Sequence, residues 1–272
     1  MTTNPPRLSD YVRERYTAAD IDRLTAMLTA QGTFVFPRLE NGLFRAAATE
    51  GAEGDITGYA NVWVRDNIYI AHAHWLLGQS QIAVANVQAL MRYFARHRHR
   101  FDDVIAGRAD YTDPMQRPHI RFKGDDLSEL AQKWAHAQND ALGYFMWLFS
   151  RLAVEGDLQA SREDLELLMT LVRYFERIEF WHDEDSGHWE EARKVSASSI
   201  GVATAGLTEF AELLAERCES RSGDVTELET WAKAVITLAD RGRRAMNAIL
   251  PAECAQDDPT KLRRYDAALL FL

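Results

Sequence analysis

The sequence of 272 residues predicts an all-α protein. Apolar residues recur at helical spacing, as at Ala83, Val87, Leu90, Met91 and Phe94, and no segment sustains the alternation of a strand. Glycine and proline, with 15 and 7 copies, interrupt the pattern rarely. Helical hairpins arranged as a bundle or as an α/α toroid both fit these observations.

Helical patterns cover most of the chain in sequence order. They run over about 9–30, 60–78, 79–98, 127–153, 165–175, 196–217 and 225–249. Ser161 and Asp224 are predicted N-caps, and Glu227 follows Asp224 at the spacing of a capping box. The segment 99–126 is too long for a simple connection between packed helices, and long connections often carry function.

Composition limits the classes of partner. The 47% hydrophobic content suits one sizeable core, and the net charge of -10 opposes binding to nucleic acid or to an anionic membrane. No apolar run reaches the roughly 18 to 20 residues that a membrane-spanning helix needs. Cys218 and Cys254 give no disulfide framework, and the N-terminus does not resemble a signal peptide. We therefore expect a cytoplasmic protein without a membrane anchor.

The first cluster of polar and aromatic residues opens the pattern at 60–78. Trp63 precedes the pair Arg65 and Asp66. One interpretation is structural, because a carboxylate at a helix N-terminus is favoured electrostatically and the arginine can pair with a neighbour. The other is a site for a sugar or another polyol, where carboxylate and guanidinium bind hydroxyls and tryptophan covers the apolar face of the ring.

The second cluster runs from Trp134 to Asp140 within the pattern at 127–153. If that segment is helical, Trp134 and Gln138 share one face while His136 and Asp140 share another. A buried polar network that ties helices together and a row of ligand-binding residues both fit. No histidine pair has the spacing and accompanying glutamate of a zinc site, so no metal is predicted.

The third cluster is DEDSGHWEE at 183–191, which fits a solvated loop, a cation site or half of an acid/base pair. A calcium loop needs glycine at its sixth position, where this stretch has His188. An acid that cleaves an acetal needs a carboxyl with a raised pKa, and an adjacent tryptophan or carboxylate raises it. Trp189, Glu190 and Glu191 supply both kinds of neighbour. Adjacent glutamates diverge, so we expect different roles for them.

Together these motifs resemble one known family. Trp63-Val-Arg65-Asp66, the segment from Trp134 to Asp140, and GHWEE followed by VSASSIG occur in the order and spacing of glycoside hydrolase family 15. HWEEARKVSASSIGVATAGLTEF and RRYDAALLFL are most similar to the branch with the phosphorylase kinase alpha and beta regulatory subunits and their bacterial relatives. The resemblance covers about residue 55 to the end, which makes 1–54 a lead-in to a single domain over 1–272.

The resemblance implies an (α/α)6 toroid of twelve helices with the active site at one end, and inverting hydrolysis of α-glucosides. It implies that Glu190 is the general acid and that Glu191 helps to hold sugar hydroxyls. It also implies that Arg65 and Asp66 bind the non-reducing glucose. The residues that line the pocket would be Trp63, Trp134, Asp140 and Trp189.

The resemblance also implies a general base far downstream, near the end of a complete toroid. The helical patterns fall short of twelve, so we expect an incomplete toroid with the base and the remaining helices outside this chain. Apolar helix faces that an open toroid exposes favour a homo-oligomer or a partner. The alternative function is a glucan-binding or regulatory module without turnover, and a purely structural scaffold is the third. No cofactor is expected for any of these functions.

Overall fold

The chain is described here by a computed structural model that covers residues 8–47, 58–219 and 225–271. Two compact units divide after Pro37. The first contains a 3-10 helix at Leu8–Tyr11 and helix α1 at Ala18–Ala30. The prediction of a single domain over 1–272 stays a prediction.

The second unit begins at Arg38 and is built almost entirely from helices. Its α-helices are α2 (Val64–Leu76), α3 (Ser80–Arg96), α4 (His99–Ile105), α5 (Asn139–Val154), α6 (Arg162–Arg177), α7 (Ala197–Glu219) and α8 (Thr226–Ile249). Short 3-10 helices lie at Pro114–Gln116 and Ala267–Phe271. The two strands, β1 (Val62–Trp63) and β2 (Arg121–Phe122), are two residues each.

Capping boxes fix the starts of two helices. The Thr17 hydroxyl accepts from the Asp20 N–H, and the Asp20 carboxylate accepts from the Thr17 N–H. Because the cap starts α1 at Ala18, the predicted helix over 9–30 is correct only in its second part. Ser161 and Asp164 form the same box before α6, as predicted for Ser161. The predicted cap at Asp224 lies outside the described residues.

The predicted helix at 127–153 forms only from Asn139 onward. Leu127, the first residue of the predicted segment, has φ of 58°, which a right-handed helix excludes. The side chains that follow are held by other elements: Arg100 binds the Glu129 carboxylate at 2.9 and 2.6 Å, and Arg121 donates to Gln132. These tertiary contacts override the local helical periodicity. The helical faces predicted for residues 134–138 are therefore wrong.

The helices of the second unit lie in two layers. Helices α2, α5 and α7 are neighbours in one layer, and α3, α6 and α8 are neighbours in the other. Alternation of chain-adjacent helices between an inner and an outer layer is the order of an (α/α)6 toroid. The all-α class and the toroid type are thus confirmed, with three inner helices in the described part of the chain.

Helix α5 is central to this arrangement, because almost all of its residues are buried. Its Gly143 lies so close to the backbone of Ala203 in α7 that an added Cβ would be 2.7 Å from the Ala203 Cα. Gly206 makes a similar approach from α7 to the Gly143 carbonyl. This close contact holds the N-termini of α5 and α7 together at the end where the polar clusters lie.

The short antiparallel pair of strands fixes the entrance to α2. Val62 pairs with Phe122, and Trp63 pairs with Arg121. Helix α2 begins directly after Trp63. The register therefore places a residue of the long 99–126 connection beside the first predicted site tryptophan.

Candidate active site

The stretch at 183–191 is a tightly held turn. Asp185 and Lys194 exchange backbone hydrogen bonds of 3.0 and 2.9 Å, which closes the segment between them. Gly187 has φ of 56°, a left-handed conformation that glycine adopts without cost. Glu190 has the same φ, which is unfavourable for a residue with a side chain. Such backbone strain is found preferentially at functional sites.

Two buried aspartates join the turn to α5. Arg117 donates to both oxygens of Asp183 at 2.7 and 2.6 Å, and the Asn139 side chain donates to the same carboxylate at 2.9 Å. Asp185 accepts from the Asn139 backbone N–H at 2.9 Å. Burial, together with repulsion from the nearby Asp140, raises the pKa of Asp185 to about 8. The solvated-loop interpretation of this stretch does not fit these contacts.

The carboxylate of Glu190 faces donors from two other elements. Its Oε1 accepts from Trp63 Nε1 at 3.0 Å and from Gln138 Nε2 at 3.1 Å. Arg65 Nη2 lies 3.8 Å from the same oxygen. No described residue donates a hydrogen bond to Oε2, and the side chain is 23% exposed. Oε2 is therefore the oxygen that a ligand can reach.

Arg65 is the hub of the site. Its Nη1 donates to Asp140 at 2.8 Å, to Gln138 at 3.1 Å and to the Gly187 carbonyl at 3.1 Å. Nη2 donates to Gln138 at 2.6 Å. Asp140 is fully buried in the first turn of α5, where the helix dipole favours its charge. One guanidinium thus links the start of α2, the start of α5 and the turn.

A cavity of about 340 Å³ opens at this hub. It is lined by Ala46, Tyr59, Trp63, Arg65, Asp66, Tyr69, Trp134, His188, Trp189 and Glu190. Burial raises the pKa of Asp66, and Glu190 adds to the rise while Arg65 opposes it. Asp66 and Glu190 are the two carboxylates among the lining residues that the structure describes.

Aromatic rings form one wall of the cavity. Trp63 and Trp134 meet edge to face with centroids 5.8 Å apart, and Tyr59 stacks on Trp63 at 5.7 Å. The Arg121 guanidinium carbon lies 4.8 Å from the Trp63 ring and 4.0 Å from the Trp134 ring. These cation–π contacts hold both indoles in place.

Trp189 and Glu191 both contact side chains from the segment 263–266. The Trp189 ring is half exposed, lines the cavity and donates from Nε1 to Asp266 at 2.7 Å. Glu191 pairs with Lys194 at 2.8 Å and with Arg263 at 2.6 Å. These two hydrogen-bonded cations lower the pKa of Glu191. The two adjacent glutamates thus diverge to different surroundings.

The structure brings most of the predicted site residues to one cavity. Those that line it are Trp63, Arg65, Asp66, Trp134, Trp189 and Glu190. Asp140 binds Arg65 and does not line the cavity, and Glu191 pairs with Lys194 and Arg263. Their placement is thereby defined, while the role of each residue toward a ligand stays a prediction.

The predicted site residues did not include Arg121, or Gln138, which the sequence named only as a member of the second cluster. Gln138 bridges Arg65 and Glu190, and Arg121 supports the two tryptophans. Gln138 belongs to a segment that looked helical, and Arg121 belongs to a connection without a recognisable motif. For Arg121, the one available signal was the unusual length of the 99–126 connection.

The arrangement is suited to recognition of a polyol. Aromatic faces pack on apolar ring surfaces, while Arg65, Asp66 and Glu190 offer a donor fork and acceptors for hydroxyl groups. Among the described residues, no group of three or more histidine, cysteine or acidic side chains could hold a metal ion. None of the helices in the described ranges is long and apolar enough to cross a membrane.

Comparison with known proteins agrees with this chemistry. The sequence profile of glycosyl hydrolases family 15 matches residues 25–246, which is most of the chain. The match contains every one of the eight residues that the sequence singled out for the site.

Curated relatives come from a different functional class. A probable phosphorylase b kinase regulatory subunit alpha of Caenorhabditis elegans is 26% identical over 184 residues, which are 56% of this chain and 14% of that protein. The liver isoform of that subunit in Mus musculus is 27% identical over 177 residues, with the same coverage. A probable subunit alpha of Drosophila melanogaster is 23% identical over 218 residues, or 71% of this chain and 17% of that protein. The match therefore spans only 14 to 17% of the relatives' length.

Proposed function

Because the chain belongs to glycosyl hydrolases family 15, we propose that it is an inverting hydrolase of α-glucosides, with Glu190 as the general acid. The substrate class is the non-reducing ends of α-glucans or oligosaccharides. The proposal does not depend on a cofactor, since general acid catalysis by a carboxyl group needs none. We also propose that the chain works in the cytoplasm.

One observation carries this proposal. The Glu190 carboxyl lies on the same cavity as Arg65, Asp66 and the indoles of Trp63 and Trp189. Trp63 and Gln138 hold its Oε1, so the reach of Oε2 into the cavity is fixed by two hydrogen bonds. A proton donor for a glycosidic oxygen has to be positioned in this way, within hydrogen-bonding distance of a bound ligand.

Arg65 and Asp66 are proposed to bind the glucosyl unit. The Arg65 guanidinium is held on its far side by Asp140, which leaves its position fixed when a ligand enters. Asp66 lies in the first turn of α2 and lines the cavity, so its carboxylate can accept from sugar hydroxyls. Trp134 and Trp189 would cover the apolar faces of the sugar ring.

Inversion also needs a general base about 6.5 to 9.5 Å from the acid, with room for a water molecule. Asp66 is the other carboxylate among the described lining residues, and it is assigned above to binding. The relatives, moreover, are named as regulatory subunits. These two observations favour a second candidate function, a glucan-binding or regulatory module that uses the same cavity without turnover and acts with a protein partner or a second copy.

Proton NMR of the chain with maltotriose, longer maltooligosaccharides and trehalose distinguishes the two functions. An inverting hydrolase releases β-glucose in the first minutes. The Glu190→Gln variant should lose about 100- to 10,000-fold in rate, because it lacks the proton while its amide oxygen can still accept from Trp63 and Gln138. Its sugar affinity should stay close to that of the wild type.

Glu184→Gln is the matched control. Glu184 lies in the same stretch, but its side chain binds Lys261 and Gln256 and does not line the cavity. Undiminished turnover in Glu190→Gln would rule out Glu190 as the acid. Shifts of ligand signals without any released sugar would favour the binding module, and absence of both would contradict both functions.

A further inference from the structure

From the cavity wall inward, five hydrogen-bonding groups form a continuous chain across three helices, the turn and a loop. Tyr69 in α2 meets the Tyr144 hydroxyl of α5 at 3.0 Å, and the Tyr144 hydroxyl meets His188 Nε2 at 3.0 Å. His188 Nδ1 lies 3.3 Å from the Ser198 hydroxyl at the start of α7. That hydroxyl lies 2.5 Å from Glu253 Oε1.

The far end of the chain determines which atom donates at each link. Glu253 accepts at Oε2 from the Ser198 N–H at 3.2 Å and at Oε1 from the Ser198 hydroxyl. The 2.5 Å distance is that of a hydroxyl that donates to a carboxylate. Since a serine hydroxyl has one hydrogen, its oxygen can only accept from His188.

The direction continues through the histidine ring. Nδ1 must carry the hydrogen, and the Asp140 carboxylate, 3.6 Å away, favours it there as well. Burial lowers the pKa of His188, so the ring is neutral and Nε2 accepts from Tyr144. With its hydrogen donated to His188, the Tyr144 oxygen accepts from Tyr69. Every link thus points from the cavity wall toward Glu253.

We infer that Glu253 is a positioning residue of the sugar site, which sets the direction of this chain so that the Tyr69 oxygen serves as an acceptor for a sugar hydroxyl. Tyr69 and His188 both line the cavity, so the chain ends at the ligand. The identification of the ligand as a sugar rests on the proposed function, whereas the direction of the hydrogen-bond chain does not.

Glu253 comes from a part of the sequence that the family profile does not match. The match ends at residue 246, and Glu253 follows in the loop after α8. Its side chain is nevertheless buried, and its backbone carbonyl accepts from the Ala197 N–H at 2.8 Å. Glu253 therefore also caps α7, and its test needs a readout that a structural role alone would not change.

Glu253→Gln reverses the direction of the chain if the inference is correct. The Ser198 N–H still needs an acceptor, so the amide oxygen should face it and the amide nitrogen should face the Ser198 hydroxyl. That nitrogen can only donate, which turns the serine hydrogen toward His188 Nδ1. The histidine hydrogen then moves to Nε2, and Tyr144 and Tyr69 turn their hydrogens toward the cavity.

The tautomer of His188 is the direct test. Nitrogen-15 NMR of the histidine rings, with His188 assigned through His188→Gln, should show hydrogen on Nδ1 in the wild type and on Nε2 in Glu253→Gln. If Glu253→Gln does not fold, Ser198→Ala is the second variant, because it removes the link to Glu253 and should lower the fraction of His188 with hydrogen on Nδ1, which Asp140 alone then favours. Glu209→Gln is the control, since Glu209 is a half-buried glutamate further along α7 that pairs with Arg151.

Sugar affinity provides the second readout. Tyr69→Phe and Glu253→Gln should each weaken maltotriose binding about tenfold, the effect of one hydrogen bond of average strength. The double variant should be no weaker than either single variant, because both changes remove the same acceptor. Fully additive losses would contradict the link between the two residues.

Hydrogen on Nε2 in the wild type, or on Nδ1 in both proteins, would overturn the inference. A switch of the His188 tautomer in a protein that binds no sugar would support the direction of the hydrogen-bond chain. It would overturn the proposed function together with the role of Tyr69. Loss of sugar binding without any change of tautomer would leave Glu253 as a helix cap alone and would also overturn the inference.

Discussion

Two buried arginine–aspartate pairs hold the turn at 183–191, and they differ in how each arginine divides its donors. Arg117 and Asp183 meet through two parallel hydrogen bonds, and both side chains are almost inaccessible. Arg65 gives Asp140 a single bond and divides its other donors between Gln138 and Gly187. Arg65 also lines the cavity, which Arg117 does not.

The difference separates an anchor from a proposed binding residue. A bidentate pair that is closed to solvent satisfies both partners and leaves nothing for a ligand, so the Arg117–Asp183 pair fixes the turn. A guanidinium that contacts several neutral groups and approaches Glu190 remains available to a new acceptor. Variants of both pairs, and of the carboxylates beside them, test this contrast.

The largest effect is expected from Asp183→Ala. Removal of one partner leaves the buried Arg117 charge uncompensated, which lowers the free energy of unfolding by about 3–5 kcal/mol. Urea denaturation measures this loss. The double variant Arg117→Met with Asp183→Leu should recover part of it, because no buried charge remains. A loss below about 1 kcal/mol in Asp183→Ala would show that the pair is not the anchor.

Arg65→Lys should affect binding more than folding. Lysine keeps the charge beside Asp140 but lacks the planar fork, so maltotriose affinity should fall by about 10- to 100-fold. Titration calorimetry measures the affinity, and urea denaturation should show a smaller loss of stability than in Asp183→Ala. Equal affinity in Arg65→Lys and wild type would remove Arg65 from the sugar site.

Asp185 lies between the two pairs and should make stability depend on pH. Burial raises its pKa to about 8, whereas in the unfolded chain it titrates near 3.8. Its contribution to the free energy of unfolding is therefore fully present below about pH 4 and is lost as the pH rises to about 8. Asp185→Asn should remove this loss and be more stable than wild type at pH 8.5, by roughly 1–3 kcal/mol.

Urea unfolding of both proteins at pH 5 and pH 8.5 measures the Asp185 effect. Because other groups titrate in both proteins, the quantity of interest is the difference between them, which should grow with pH. A variant that is destabilised equally at both pH values would contradict a protonated Asp185 in the folded chain.

The smallest effect is expected from Glu191→Gln. A sugar hydroxyl that binds Glu191 has to compete with Lys194 and Arg263, so the affinity for maltotriose should fall only about twofold to threefold. Stability should change by less than about 1 kcal/mol, as is usual for exposed ion pairs. A tenfold loss of affinity in calorimetry would place Glu191 at the ligand with Glu190.

The class of fold and most of the residues that line the cavity could be predicted from the sequence. The apolar residues of α3 and α6 that predicted helices are buried in the structure, and Ser161 caps α6 as its position implied. These predictions succeeded because helical periodicity and capping are set by residues within a few positions of one another. The resemblance added the expected role of Glu190 as general acid, because the motif that carries it is also local.

The assembly of the site could not be predicted from the sequence, because it depends on contacts between distant segments. Residues 127–138 have a helical pattern, yet contacts from Arg100 and Arg121 hold them in an irregular path that carries Gln138 to Glu190. Glu253 reaches Ser198 from 55 positions away. Such pairings depend on the packing of distant elements and leave no periodicity in the sequence. Burial then sets the charge of the paired groups, which only the folded chain determines.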